Sequence, residues 1–157
     1  MQGVDKMLKI YNIMEKMELL EEVATLEYEE WAEEPENDKA NRILRKIERI
    51  KNSLNKRDFC KLVLVDDDKL IGFISIFPED CDECKELSPW YATMYVKKEY
   101  RGHGYSRMLN DAILDEARRR LYKEIYLKTT LNNYYEKFGA VYMKELSDEE
   151  KLYKFIL

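Results

Sequence analysis

The chain has 157 residues, 38% of them charged, and a net charge of −5; this length can bury a core without disulfide or metal staples, so a single domain over residues 1–157 is expected. The acidic balance excludes a protein built mainly to coat nucleic acid, which needs a broad basic face. The longest largely apolar run, residues 70–77, is far short of the roughly 18 residues that span a bilayer, and MQGVDKML lacks the apolar stretch of a signal peptide, so a soluble cytoplasmic protein is expected, without a membrane or nucleic-acid partner.

In chain order, LKIYNIME (8–15) reads as a strand. A helix follows, with Leu20, Val23, Ala24 and Trp31 at helical spacing, glutamates on the other face and Pro35 at its end. From about Asp38, Ala40, Ile43, Leu44, Ile47, Ile50 and Leu54 recur every three or four residues and predict a second helix. KLVLV (61–65), the turn DDDK and LIGFISIF (70–77) form a hairpin pattern, and a loop from Pro78 to Pro89 leads to the strand WYATMYV (90–96). Tyr105, Met108, Leu109, Ala112, Ile113 and Ala117 mark a third amphipathic helix. EIYLKTT (124–130) is then a strand, and a short helix starts near Asn133, with Glu136 at capping-box spacing. AVYMKEL and KLYKFIL close the chain as two strands. Such an order belongs to an α/β or α+β domain with one central mixed sheet.

Cys60, Cys81 and Cys84 are an odd number of cysteines, which suits a reducing compartment better than a disulfide framework. Cys81 and Cys84 form a C-x-x-C with no second pair or histidine near it, so four-coordinate zinc lacks ligands. An exposed loop with two thiols is expected there, a redox or adventitious metal site being the alternative.

Two of the five glycines and the single histidine fall within YVKKEYRGHGYSRML (95–109). A strand running through glycines into a helix gathers free backbone N–H groups and the positive end of a helix dipole at one point, which binds an anion. Lys97, Lys98, Arg101 and Arg107 against Glu99 make the segment locally basic, so it should prefer phosphate. It matches neither a Walker P-loop nor a G-x-G-x-x-G fingerprint.

MYVKKEYRGHGYSRML resembles the acetyl-CoA-binding motif of the GNAT superfamily of N-acetyltransferases, Arg/Gln-x-x-Gly-x-Gly/Ala. Arg101, Gly104 and Ser106 stand at its positions, with Ser where Gly or Ala is usual. One helix and one strand later, YYEKFGA (134–140) resembles that family's Phe-Tyr-Glu-Lys-x-Gly-Phe segment, with Ala140 in place of Phe. LSPWYATMYV is similar to a bacterial subgroup acting on small molecules or peptides. The resemblance implies the acyl-CoA N-acyltransferase fold, an α/β (α+β) domain whose central mixed, mostly antiparallel sheet of about seven strands is flanked by about four helices. It implies acetyl-CoA as cosubstrate, no metal, and an amine acceptor, with the chain a monomer or homodimer.

By the same resemblance Met94, Tyr95 and Val96 pair with the pantetheine arm, and the backbone of Arg101, Gly102, His103, Gly104, Tyr105, Ser106 and Arg107 holds the pyrophosphate. His103 stands at a variable motif position, so its side chain is expected to be exposed. A backbone N–H near Tyr95 would serve the oxyanion, Tyr135 would donate a proton to the leaving thiolate, and Tyr134 would pack. The family's Asn-x-x-Ala before the tyrosine is missing, since Lys128 stands at that Asn position; Asn132 is a substitute contact to the cofactor. Where several members carry a glutamate in the central strand, this chain has Trp90, Tyr91, Ala92 and Thr93. Asp80 and Glu86 are the substitute bases through water, or else solvated loop acids.

A weak base favours an amine of low pKa: at pH 7 a lysine-like amine costs about 4.6 kcal/mol to deprotonate, an α-amino group about 1 kcal/mol. The acidic stretch Glu18, Glu21, Glu22, Glu27, Glu29, Glu30, Glu33, Glu34, Glu36 and Asp38 reads as a solvated helix face that could attract a cationic amine. Trp31, Trp90 and Tyr91 are candidates for an apolar acceptor wall, or for core. Two other readings stand beside the enzyme: an acyl-CoA-binding regulator with little or no turnover, and a tRNA-modifying acetyltransferase, which the acidic composition disfavours.

Overall fold

A computed structural model describes residues 7–32 and 38–157; Pro35, Glu33, Glu34, Glu36 and the first six residues lie outside that description. β1 (Leu8–Asn12), α1 (Leu20–Trp31), α2 (Lys39–Ser53), β2 (Cys60–Asp66), β3 (Lys69–Phe77) and β4 (Trp90–Val96) form the first part. The second holds α3 (Tyr105–Arg119), β5 (Glu124–Thr129), β6 (Val141–Glu145) and β7 (Lys151–Ile156). The seven strands make one sheet in the order β1-β2-β3-β4-β5-β7-β6. Every neighbouring pair is antiparallel except β4 and β5.

The apolar runs of β2 and β3 are continuous because both faces of the sheet are covered. Leu62, Leu64, Ile74 and Ile76 pack with Leu109, Ile113 and Ala117 of α3 on one face, while Val63, Val65 and Phe73 pack with Leu20, Val23 and Ala24 of α1 on the other. Burying a Leu or Ile side chain stabilises by about 1.5–3 kcal/mol, so these two layers hold the sheet. Beyond α3, Arg120 is held by Glu116 at 2.9 Å and donates to the carbonyls of Arg57 and Phe59. This fastens the end of the helix to the start of β2.

Several expectations are corrected. The described residues hold three α-helices rather than about four, because the segment after Asn133 closes only one 3-10 turn, Tyr135–Phe138, with Tyr134 at its cap and no side-chain capping bond. Glu136 accepts instead from the Tyr153 hydroxyl at 2.8 Å. A capping box does form at Asn12, whose side chain and that of Glu15 satisfy each other's backbone, and it ends the first strand at Asn12 rather than at residue 15. The thiols of Cys81 and Cys84 are not exposed: both are buried against Trp90 and Leu152, while Asp82 and Glu83 between them face solvent. On α2, Leu44 is 59% exposed, outside the buried stripe.

Candidate active site

Between β4 and β5 the sheet opens. The two parallel strands pair at Trp90 and Tyr126, with the Tyr126 N–H donating to the Pro89 carbonyl at 3.1 Å, and then diverge. A β-bulge adds to the break: against β3, Phe73 faces Tyr95 and Ser75 faces Ala92, so β4 carries one extra residue there. Thr93 takes a φ of 51° within it, a left-handed backbone that a β-branched residue rarely adopts. The result is a cavity of about 860 Å3 lined by Tyr91, Ala92, Thr93 and Met94 of β4 and by Leu127, Lys128 and Thr129 of β5. That volume suits a small substrate. Tyr135, Asp80, Lys46, Glu30, Trp31 and Glu150 complete its walls.

At the C-terminal end of β4 the chain turns through Gly102 and Gly104, at φ 85° and 80°, and enters α3 with Gly104 as N-cap. Only glycine takes such angles without strain, and the first turn of α3 presents its amides and dipole to the same point. The Arg101 side chain folds back, Nε donating to the Val96 carbonyl at 2.9 Å, and thereby braces the turn. Lys97 pairs with Glu22 of α1 at 2.5 Å, so part of the local positive charge is already matched. An anion at this turn would therefore meet backbone amides more than free basic side chains. His103 is exposed there.

Tyr135 sits across the cavity from β4, its ring edge-on to Tyr91 at 5.7 Å and to Tyr134 at 4.8 Å. Burial, with Tyr134 adding to it, pushes its hydroxyl up to about 12. It keeps its proton at any physiological pH and is a donor, never a base. Tyr91 is nearby but committed: its hydroxyl donates to Oδ1 of the buried Asn110 at 2.8 Å. Arg107 donates to the Lys137 carbonyl at 3.1 Å and lies over the Phe138 ring, so the start of α3 and the turn bearing Tyr135 are tied together. Asn132 is exposed and does not line the cavity, although Leu131 beside it does.

Two further groups of polar residues bear on the site. Asp80 lines the cavity, and burial pushes its carboxyl up to about 6, with Lys128 opposing the rise. Glu86 is exposed and stands away from the cavity lining. On the face of the sheet toward α1 runs a buried chain of side chains that sequence reading missed. The hydroxyls of Thr93 and Ser75 are 2.6 Å apart, Lys61 Nζ is 2.6 Å from Ser75 Oγ, and Lys61 touches the Glu27 carboxylate, which also pairs with Lys46 at 3.2 Å. Glu27 is thus no part of a solvated face: it is 2% exposed.

Of the apolar wall candidates, Trp90 is core, Tyr91 is both core and cavity lining, and Trp31 is 44% exposed and lines the cavity, edge-on to Tyr95 at 6.3 Å.

The sequence pattern of the acetyltransferase (GNAT) family matches residues 17–140. The chain belongs to this family. Over 89 residues it is 34% identical to the N-alpha-acetyltransferase 30 of Schizosaccharomyces pombe (strain 972 / ATCC 24843), a stretch covering 54% of this chain and only 59% of that relative's length. Among solved structures, PH1933 from Pyrococcus horikoshii OT3 superposes with a TM-score of 0.68 at 21% identity, covering 96% of this chain and 98% of that one. The PaiA N-acetyltransferase of Thermoplasma acidophilum, solved in complex with coenzyme A, superposes with a TM-score of 0.63 at 19% identity, covering 96% and 99%. These likenesses show the GNAT fold. The GNAT family takes acetyl-CoA as cosubstrate.

Proposed function

We propose that this chain is a single acetyltransferase domain that transfers the acetyl group of acetyl-CoA to a primary amine by direct attack. The observation that carries the reading is the cavity between β4 and β5, lined by residues 91–94 and Tyr135, on the same strand that runs on through the Gly102 and Gly104 turn into α3. Acetyl-CoA supplies a thioester. Met94, Tyr95 and Val96 would hold the pantetheine arm, the backbone from Arg101 to Arg107 would hold the pyrophosphate, and a backbone N–H near Tyr95 would face the oxyanion. Asn132 would reach the cofactor from outside the cavity.

Tyr135 would hydrogen-bond the thiolate as it leaves rather than surrender its proton to it. With its hydroxyl at about 12 against about 8.5 for a free thiol, full transfer would be uphill by roughly 5 kcal/mol. The acceptor side is acidic: Glu30, Asp80 and Glu150 line the cavity with Lys46 and Lys128, which supports a cationic amine as it approaches. The yeast relative is named an N-alpha-acetyltransferase, and an α-amino group is also the acceptor that costs least to deprotonate. A peptide N-terminus is therefore the favoured acceptor. The segment 87–96 supports a place in the bacterial subgroup noted above, and the free thiols support a cytoplasmic site of action.

The test is release of free thiol from acetyl-CoA against a panel of peptide amides, polyamines and aminoglycosides. Tyr135→Phe is expected to lower kcat by about 10²-fold while leaving acetyl-CoA affinity nearly intact. Binding of acetyl-CoA without thiol release for any amine would make the chain an acyl-CoA-binding regulator instead.

A further inference from the structure

β4 has no carboxylate where a base would stand, yet one of its cavity residues is the end of a buried polar chain that runs away from the cavity. Thr93, on the bulge, lines the cavity; its hydroxyl meets Ser75 of β3, Ser75 meets Lys61 of β2, and Lys61 meets Glu27 of α1. We propose that Lys61 is the proton acceptor for the attacking amine, reached from the cavity through the hydroxyls of Thr93 and Ser75. The inference rests on the acetyl-transfer reading above.

Charge inventory supports it. The Glu27 carboxylate lies between two amines, Lys46 at 3.2 Å toward solvent and Lys61 in full burial. Lys46 alone neutralises Glu27; a second ammonium would leave an uncompensated charge inside the protein. The groups facing Lys61 are Glu27 from α1, Lys46 from α2, Cys60 from β2 and the rings of Phe59, Phe73 and Phe77, 5.2 to 6.0 Å from Nζ. Burial pushes the Lys61 ammonium down, against the pull of Glu27. Burial raises Glu27, while the Lys46 charge and hydrogen bonds from both amines lower it, which keeps the carboxyl ionised beside a neutral Lys61.

The state of Lys61 sets the direction of every bond in the chain. Neutral Lys61 has a lone pair that accepts from Ser75, Ser75 then accepts from Thr93, and the Thr93 oxygen is left to accept an N–H from the cavity. When the amine gives its proton to Thr93, the Thr93 proton moves to Ser75 and the Ser75 proton to Lys61, which becomes an ammonium. The freed nitrogen pair forms the C–N bond as the C–S bond breaks, and the second proton that nitrogen sheds in becoming the amide goes to the thiolate, which leaves as free thiol. Lys61 then returns the proton to solvent past Glu27 and Lys46. No oxidant or further reactant is required.

Two measurements test this in the intact protein. NMR titration of labelled lysine side chains, with the Lys61 signal assigned by Lys61→Met, needs no substrate and is expected to show Lys61 losing its proton well below the other lysines. In thiol-release kinetics with acetyl-CoA and a peptide amide, Thr93→Val should lower kcat about 10²-fold. The fall of kcat at low pH should disappear, KM for acetyl-CoA should be unchanged, and Thr93→Ser should restore most of the rate. Lys61 charged up to pH 10, or Thr93→Val within twofold of the wild type, overturns the proposal. So does Asp80→Asn removing the low-pH fall while Thr93→Val keeps it, which would make Asp80 the base. Those outcomes leave the transfer reading intact; no thiol release by the wild type with any amine overturns both.

Discussion

At the scale of single residues, burial raises two cavity groups alike, with different consequences. Tyr135 is held protonated and Asp80 is held near neutrality, at about 12 and about 6. Asp80 has a stability consequence. Its folded pKa lies above its ordinary 3.8, so below about pH 4 it is protonated in folded and unfolded chains alike and costs nothing. As pH rises from about 4 to 6 the unfolded carboxyl ionises first, and above 6 the folded state bears the whole desolvation penalty, on the order of 3 kcal/mol. Asp80→Asn should therefore raise the Tm at pH 8 and leave it unchanged at pH 4, as thermal melts at the two pH values would show. A carboxylate kept at that cost in a cavity is placed for its charge rather than for packing.

At the scale of elements, the site depends on how β3 and β4 meet. Gly72 of β3 pairs with Val96, and a methyl group added to it would run into the Tyr95 carbonyl and crowd Leu109 of α3. Gly72→Ala should cost about 1–3 kcal/mol in denaturant unfolding. It should also weaken acetyl-CoA binding by calorimetry, because the strand that gives way carries Met94, Tyr95 and Val96. The same register explains the buried chain. Lys61 and Ser75 are direct cross-strand partners, and the bulge brings Thr93 next to Ser75. Part of this was legible in sequence. Glu27 falls in line with Leu20, Val23 and Ala24 at helical spacing, and Lys61 and Ser75 alternate with Val63 and Phe73 toward the same face. Reading every glutamate of α1 as solvated hid Glu27, since charge is a poorer guide to exposure than the period on which a residue falls.

At the scale of the whole molecule, β5 is tied to β7 along its full length but to β4 at a single residue pair. The halves of the sheet are joined chiefly by packing on α3 and by the Arg107 tie to the turn bearing Tyr135. A ligand spanning that gap binds the folded chain and not the unfolded one. Acetyl-CoA at a hundred times its Kd should then stabilise by about 2.7 kcal/mol and raise the Tm by roughly 5–10 °C. A Tm unmoved by acetyl-CoA would count against the cavity as its site.

By itself the sequence determined most of the elements and the glycine turn into α3, because periodicity, glycine conformation and helix polarity are local and read from neighbours along the chain; Tyr135 was marked by the family resemblance of its segment, not by any local pattern. Only the tertiary structure decided that β4 and β5 part, that Asp80 enters the cavity while Glu86 stays outside, that Cys81 and Cys84 are buried, and that Glu27, Lys61, Ser75 and Thr93 form one connected chain. Those facts depend on register and on a bulge. A shift of one residue turns a strand's side chains to the opposite face, and no local pattern contains that choice.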